Sequence, residues 1–116
     1  MVTRNDWKEQ IRLALLKNVF IESGGITWLF NEEFYPYPSA IKAINEAAFI
    51  CGFEKLMWGS DYPRTMVEIT YKMSYDFIVK SREISESDKE KLLYSNAKSF
   101  YGFNDFDEIK KIKHML

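Results

Sequence analysis

The chain has 116 residues, enough for one domain, and its 47% hydrophobic and 28% charged residues exclude wholesale disorder. The formal net charge is -1, and the basic residues are spread along the chain, which excludes the basic footprint of a nucleic-acid binder. Cys51 is the single cysteine, no apolar stretch has membrane-spanning length, and the N-terminus has no signal-peptide pattern. We therefore expect a cytoplasmic protein without disulfides or membrane segments.

The N-terminal segment has the pattern of a helix followed by a strand. Asp6 and Glu9 have capping-box spacing, with Asp6 as the cap, and predict a helix that ends near Lys17 or Asn18. Its buried face is predicted from residues at helical spacing: Trp7, Ile11, Ala14 and Leu15. Residues 19–22 (Val-Phe-Ile-Glu) are a short apolar run that predicts a buried strand, and Ser23-Gly24-Gly25 closes it.

A second helix and strand follow in the same order. Residues 35–38 (Tyr-Pro-Tyr-Pro) exclude regular helix, because proline disfavours helix at the preceding residue. Ser39 is predicted to cap a helix over residues 40–51, with Gly52 at its C-terminal cap. One face of that helix carries Ile41, Ile44, Ala47, Ala48 and Cys51. Residues 55–58 (Lys-Leu-Met-Trp) predict the second strand.

The rest of the chain is predicted to be helical after a turn-rich loop over residues 59–64. Three helices are predicted, at residues 65–81, 85–94 and 96–101. Thr65 and Glu68 have capping-box spacing for the first, and Gly102 stops the last. Residues 1–116 form a single domain in this interpretation, with a peripheral helix in the tail, residues 104–116.

Strands that alternate with helices predict an α/β fold with two parallel strands and flanking helices. A buried parallel pair needs more sheet beside it, and its open edges favour aggregation. We therefore expect either the end of a larger barrel or a subunit whose sheet edges pair with other copies in a homo-oligomer.

Three stretches together resemble one known family. They are Asn18–Gly25, Leu56–Pro63 with its Gly-Ser-Asp-Tyr-Pro motif, and Ile84–Gly102 with Asn96-Ala97. In order and spacing they are similar to the last two strands and closing helix of the amidohydrolase-related (amidohydrolase 2) family of metal-dependent hydrolases. The similarity runs from about Asn5 to Phe103. It implies the C-terminal part of a (β/α)8 barrel, whose active site lies at the C-terminal ends of the strands.

The resemblance assigns the catalytic carboxylate to Asp61, as a ligand of a zinc-type divalent metal and as acceptor of a proton from metal-bound water. The implied reaction is hydrolysis or decarboxylation of a small-molecule substrate. Residues 35–38 resemble a family loop that lies over the barrel mouth. From the residues alone, Asp61 before Tyr62-Pro63 fits an Asx-turn equally well.

Other candidates surround Asp61 in the sequence. Trp58, Tyr62 and Arg64 are predicted to line the substrate pocket, and Arg64 has the chemistry to bind a substrate carboxylate bidentately. Arg64 fits an ordinary surface residue as well. Glu22 and Ser23 end the first strand and either face the same mouth or are solvated strand-end residues.

The family's histidine ligands have no counterpart here. His114 in the tail is the only histidine, whereas a catalytic metal site uses about three protein ligands. We therefore expect the C-terminal portion of an enzyme, inactive alone and without a metal of its own. The alternatives are a non-catalytic remnant that self-associates, and a binding module that uses the aromatic loop over residues 28–37. The sequence names no substrate, because specificity in such barrels lies in the loops.

Overall fold

The fold has a two-stranded parallel sheet, and helices precede, separate and follow its strands along the chain. The computed structural model describes residues 3–29 and 33–104. The strands are β1 (Ile21–Glu22) and β2 (Leu56–Met57), and the helices are α1 (Arg4–Arg12), α2 (Ile26–Leu29), α3 (Pro38–Cys51), α4 (Met73–Lys80), α5 (Glu86–Glu90) and α6 (Asn96–Tyr101). The predicted α/β class with two parallel strands and flanking helices is confirmed. The predicted tail helix and His114 lie outside the described residues.

The register of the sheet shows which residues share each of its two faces. Ile21 is paired with Leu56, and Glu22 with Met57. Because successive strand residues point to opposite faces, the Ile21–Leu56 pair shares one face and the Glu22–Met57 pair the other. Leu56 is 2% exposed and belongs to the hydrophobic core, against which Ile21 also packs. Glu22 therefore lies on the opposite face, at the end where both strands leave the sheet.

The core lies between the sheet and the helices. Its best-buried large side chains are Ile44, Leu56, Phe77, Ile78 and Leu92, and small side chains of α3 allow close packing. Trp7 and Ile11 of α1 are buried in the same cluster, as their helical spacing predicted. Burial of these apolar side chains is the main stabilising contribution, about 1.5–3 kcal/mol for each large one.

The start of α1 differs from the prediction. The cap is Thr3, whose hydroxyl accepts from the Asp6 N–H, while the Asp6 carboxylate accepts from the Thr3 N–H. Asp6 is therefore the third helical residue of the box. The helix ends in a single 3₁₀ turn, and Leu15 is 65% exposed, so its predicted burial is wrong. Three main-chain carbonyls after this turn, those of Leu16, Lys17 and Val19, accept from the Lys55 ammonium group.

Helix α3 begins one residue before the predicted cap. Its N-cap is Tyr37, at φ 54°, and Pro38 is the first helical residue. Proline suits this position, because the N–H it lacks would have no partner in the helix. Ser39 lies within the first turn, where its N–H donates to Glu33, so the predicted Ser39 cap is wrong. Gly52 ends the helix at φ 82°, as predicted.

The helix predicted over residues 65–81 is shorter than expected. Residues 64–67 form an isolated 3₁₀ turn, and α4 begins only at Met73. Thr65 is 2% exposed, and its hydroxyl has no partner among the described residues, so it caps nothing. Its burial explains the error, because a capping hydroxyl must face the first turn of its own helix.

The C-terminal helices follow the prediction closely. Ser85 caps α5 by accepting from the Asp88 N–H, and Gly102 ends α6 at φ 70°. A π-helical turn over residues 91–95 joins the two helices. The Asn96 amide donates to the carbonyls of Phe53, at 2.6 Å, and Leu56, at 2.8 Å, and so ties α6 to β2. In the part of the chain described, no helix combines the length and apolarity that crossing a bilayer requires.

Candidate functional site

The two strands leave the sheet side by side, and their exits share hydrogen bonds. Beyond β1, both the N–H and the hydroxyl of Ser23 donate to the Met57 carbonyl, at 2.8 and 3.2 Å. Beyond β2, the Trp58 N–H donates to the Leu92 carbonyl at 2.8 Å. The two Ser23 bonds join the exits to each other, and the Trp58 bond joins the β2 exit to the π-helical turn. We call Glu22, Gly24, Gly59 and Asp61 the strand-exit cluster.

Glu22 crosses from one strand to the other within this cluster. A Cβ built on Gly59 would stand 1.7 Å from Glu22 Oε1, and one built on Gly24 would stand 3.1 Å from the same oxygen. The carboxylate therefore occupies space that a side chain at Gly59 would fill. Glu22 is exposed, so the carboxylate is also open to solvent. The interpretation of Glu22 as a residue that faces the mouth agrees with this placement.

Asp61 is the second carboxylate of the strand-exit cluster. Its Cβ lies 3.6 Å, and its N–H nitrogen 3.9 Å, from the point where a Gly24 Cβ would stand. Asp61 is half-buried and has a left-handed backbone at φ 51°, which only a few per cent of non-glycine residues adopt. Such conformations concentrate at functional sites.

The turn at Asp61 is held by groups other than its carboxylate. The Thr65 N–H donates to the Asp61 carbonyl at 3.1 Å, and the Tyr62 N–H donates to the Ser60 hydroxyl at 3.2 Å. Within residues 3–29 and 33–104 the Asp61 carboxylate accepts no hydrogen bond, so the Asx-turn alternative has no supporting bond there. As far as the described residues go, the carboxylate has no partner that would compete with a ligand.

Trp58 and Tyr62 lie in different surroundings. The Trp58 indole N–H donates to the Ser74 carbonyl at 3.0 Å, and its ring makes edge contacts with Tyr71 and Tyr75. That hydrogen bond attaches the end of β2 to α4. Tyr62 is 70% exposed. In the described part of the chain, no hydrogen bond, ion pair or ring contact joins the four predicted site side chains, those at positions 58, 61, 62 and 64, to one another.

Arg64 makes a contact that the sequence analysis missed. Its guanidinium carbon lies 4.6 Å from the centre of the Trp28 ring, within the range of a cation–π interaction. Trp28 belongs to α2, which follows β1, whereas Arg64 follows β2. The contact therefore joins the segments that follow the two strands. The available signals were the glycine pair after β1 and a tryptophan three residues beyond it.

The loop over residues 35–37, which leads into α3, is attached to α4. The Tyr35 hydroxyl donates to the Asp76 carboxylate at 2.7 Å, and the Lys80 ammonium group also lies 2.7 Å from it. Two hydrogen bonds to the Asp76 carboxylate hold its pKa below the ordinary value. The bond from Lys80 has the larger effect, and the bond from Tyr35 the smaller. The same hydrogen bond raises the pKa of Tyr35. This network keeps the loop beside α4.

Cys51 is not part of the site. It is half-buried in the last turn of α3, where its thiol donates to the Ala47 carbonyl at 3.3 Å. Burial raises the pKa of the thiol, which disfavours the reactive thiolate. The interpretation of Cys51 as a small, packed side chain agrees with these contacts.

A metal centre needs more ligands than the strand-exit cluster contains. In the part of the chain described, no group of three or more His, Cys, Asp or Glu side chains is arranged to hold a metal ion. Asp61 and Glu22 offer two carboxylates, against the roughly three protein ligands of a catalytic zinc. These residues therefore do not fit a complete metal site by themselves.

The comparisons with known proteins give one match. The sequence model of the amidohydrolase family matches residues 2–103, which contain both strands and the strand-exit cluster. The chain belongs to the amidohydrolase family. This membership makes it a hydrolase-family protein and agrees with the α/β architecture seen here. Amidohydrolases are generally metal-dependent, whereas the described residues contain no complete metal site. No curated protein and no solved structure gives a significant match.

Proposed function

We propose that this chain is the C-terminal portion of a metal-dependent hydrolase, with Asp61 as its catalytic carboxylate. The histidine ligands of the metal would come from the rest of the enzyme, because His114 is the single histidine of this chain. The chain alone would therefore not turn over a substrate. Metal-activated attack of water, or a related decarboxylation, is the reaction class. The single cysteine favours the cytoplasm as the place of action.

The observation that carries the proposal is the position of Asp61 relative to Gly24. Gly24 lies two residues beyond the end of β1, and Asp61 lies four residues beyond the end of β2. The Asp61 Cβ lies 3.6 Å from the point where a Gly24 Cβ would stand. In parallel α/β folds the ends of neighbouring strands form the ligand site. A carboxylate at that position that accepts no hydrogen bond from the residues the structure describes supports a role toward a ligand.

The chemistry of Asp61 in the proposal is that of one ligand among several. Carboxylate oxygen is a suitable donor for zinc at about 2.0–2.2 Å, and it also accepts protons. Glu22, in the same cluster, adds negative charge that attracts a cation. Trp58, Tyr62 and Arg64 are the proposed substrate-binding residues for a small-molecule substrate.

Paramagnetic NMR tests the placement of the cation site on the chain itself. Mn²⁺ added to the ¹⁵N-labelled protein should broaden the amide signals of Gly24, Gly59 and Asp61 before those of distant residues. Asp61→Asn should largely abolish this local broadening. Glu68→Gln is the matched control, because Glu68 is an exposed carboxylate outside the strand-exit cluster.

Two results would contradict the proposal. One is broadening centred away from residues 22–24 and 59–61, and the other is broadening there that survives Asp61→Asn. Metal-dependent turnover by the chain alone, abolished by Asp61→Asn, would retain the catalytic role and overturn the claim that the chain is inactive alone.

A second candidate is self-association without catalysis. Among the described residues, β1 and β2 pair only with each other, so each strand has one edge without a strand partner. Leu13, Leu15 and Leu16 are 55%, 65% and 60% exposed, which makes an apolar surface after α1. Exposed apolar patches of this kind mark association sites. The proposed partner is another copy of the chain.

Light scattering over a range of protein concentrations tests self-association. The expected mass rises above that of one chain, and Leu15→Lys lowers it toward the monomer. Val67→Lys is the control, because Val67 is an 82% exposed apolar residue elsewhere on the surface. A constant monomer mass at every concentration would remove this candidate.

A further inference from the structure

We propose that Trp28 is a positioning residue that holds Arg64 in place to bind the carboxylate group of a ligand at the mouth of the two strands. The sequence pattern placed Trp28 in a candidate aromatic binding loop but did not connect it with Arg64. The inference deepens the proposed function, on which it rests for the orientation of the ligand toward Asp61. The binding itself needs neither a metal nor turnover.

The first support is the position of the Arg64 guanidinium group over the Trp28 ring. The guanidinium carbon of Arg64 lies 4.6 Å from the centre of the Trp28 ring. A guanidinium group over an aromatic face keeps its N–H donors at its edge, where a planar oxyanion can accept two of them. The ring therefore restricts the motion of the Arg64 side chain and leaves its N–H donors available. A side chain that is ordered before the ligand arrives loses less entropy on binding.

The second support is the way Trp28 itself is held. Gly25 has φ 71°, and a Cβ on it would stand 2.8 Å from Cζ2 and 2.9 Å from Cε2 of the Trp28 ring. The ring therefore packs directly on the Gly25 backbone. The indole nitrogen is buried, and within the described part of the chain it has no hydrogen-bond partner. Packing on Gly25, rather than a hydrogen bond, sets the ring position.

The third support is that Arg64 has unused donors. It is exposed, and in residues 3–29 and 33–104 no carboxylate forms an ion pair or hydrogen bond with it. Arginine has five N–H donors and no acceptor, so an unpaired, preordered guanidinium group is suited to an anion. A bidentate carboxylate satisfies the geometry of two of these donors.

The charges nearby favour a carboxylate over a phosphate. Glu22 and Asp61 supply two carboxylates to the strand-exit cluster. Glu22 is six residues before Trp28, and Asp61 is three residues before Arg64. A phosphate monoester carries about -1.5 to -2 charges at pH 7, whereas a carboxylate carries one. Repulsion from the two acidic side chains therefore penalises the phosphate more strongly.

An NMR titration of the full chain with sodium benzoate tests the inference. Benzoate should shift the Arg64 Nε–H signal and the Trp28 indole signal along a saturable curve. Benzamide, its neutral counterpart, should leave both signals unchanged, and phenyl phosphate should bind more weakly than benzoate. Binding of phenyl phosphate equal to or tighter than that of benzoate would overturn the choice of carboxylate.

Four variants separate positioning from simple packing. Arg64→Lys should weaken benzoate binding about tenfold, because the bidentate fork is lost. Trp28→Leu should weaken it about threefold, the size of an exposed cation–π contact, and Trp28→Phe should restore most of the loss. Arg82→Lys is the matched control at an exposed arginine outside the mouth and should change nothing.

A double-mutant cycle decides whether Trp28 acts through Arg64. In the Arg64→Lys background, Trp28→Leu should have less effect on benzoate binding than it has in the wild-type chain. Equal effects in both backgrounds, or benzoate binding that survives both substitutions, would overturn the inference. Because no metal is added, this result is independent of the Mn²⁺ experiment on Asp61, and either proposal can fail alone.

Discussion

The carboxylate of Glu22 lies across the backbone of Gly59, so the end of β1 reaches over the end of β2. A Cβ on Gly59 would stand 1.7 Å from Oε1, 2.5 Å from Cδ and 2.8 Å from Cγ of Glu22. Glycine is therefore the residue that leaves room for the carboxylate. The Gly-Ser-Asp motif has a packing role at its first position as well as a proposed chemical role at its third.

Gly59→Ala should displace the Glu22 side chain from this place. The backbone of Gly59 has no positive φ, so alanine is conformationally tolerated and the steric contact decides the outcome. The displaced side chain is flexible and exposed, so we expect a loss of about 1 kcal/mol or less, typical of a surface change. Urea unfolding measures it.

Glu22→Ala supplies the control for this prediction. If the contact with Glu22 causes the loss, Gly59→Ala should cost nothing further once Glu22 has become alanine. An unchanged cost in that background would show that the loss arises elsewhere in the β2 exit.

Asn96 should be among the side chains most sensitive to substitution in α6. Its amide donates to the carbonyls of Phe53 and Leu56, and the Leu56 carbonyl belongs to β2. Asn96→Ala leaves both acceptors without this donor and should cost about 1–3 kcal/mol. Asn96→Asp should cost more, because a carboxylate would face two carbonyl oxygens.

Asn45→Ala is the matched comparison for Asn96. The Asn45 amide makes a single exposed 3.4 Å bond to the Glu83 carbonyl. Its removal should cost less than about 0.5 kcal/mol, as for most surface substitutions. Thermal or urea unfolding of both variants gives the comparison, and equal losses would contradict the anchoring role of Asn96.

Local patterns predicted the elements of this fold better than their ends. The apolar runs gave both strands, and Gly52, Ser85 and Gly102 have the capping positions predicted for them. At the start of α1 the error arose because two caps competed. Thr3 stands before Asp6, and the sequence alone gives both a suitable side chain, so the choice depends on which residue leaves the helix.

The sequence predicted those site residues that belong to a continuous motif, and it missed the contact between residues far apart in the chain. Asp61 lies within a continuous motif, so its position after a strand was readable from the chain. The Trp28–Arg64 contact joins residues far apart in the sequence, and only the parallel pairing of β1 and β2 brings them together. The unpartnered Thr65 hydroxyl is a tertiary outcome of the same kind, because its burial depends on packing around the 3₁₀ turn.

The Asp76 network should make stability depend on acid pH. Lys80 and Tyr35 hold the pKa of Asp76 below its ordinary value of 3.8, so the folded chain binds fewer protons there than the unfolded chain. That stabilisation is complete above the ordinary pKa and is lost as the pH falls through the lower, folded value. The wild type should therefore exceed Asp76→Asn in stability at pH 6.

Urea unfolding from about pH 6 down to pH 2 checks this linkage. The advantage of the wild type over Asp76→Asn should shrink as the pH falls below the ordinary pKa of Asp76. Glu68→Gln removes an exposed carboxylate outside this network. Its free energy of unfolding should change with pH in the same way as that of the wild type. An advantage that grows toward acid pH would contradict the sign of the pKa shift.

Gly25 and Gly102 offer a matched pair that isolates the packing of Trp28. Both have a left-handed backbone, at φ 71° and 70°, so alanine meets the same conformational strain of about 1 kcal/mol at either position. A Cβ at Gly102 would meet nothing within 4 Å, whereas one at Gly25 would meet the Trp28 ring at 2.8 Å. Gly25→Ala should therefore cost more than Gly102→Ala in urea unfolding. The excess should vanish in the Trp28→Leu background, where the ring is absent.

The same pair of glycines makes a prediction for benzoate binding. Because the displaced ring also lies beside the Arg64 guanidinium group, Gly25→Ala should weaken benzoate binding as Trp28→Leu does. Gly102→Ala should leave benzoate binding unchanged. Equal stability losses for the two glycines, together with unchanged benzoate binding, would show that the ring does not depend on Gly25 for its position.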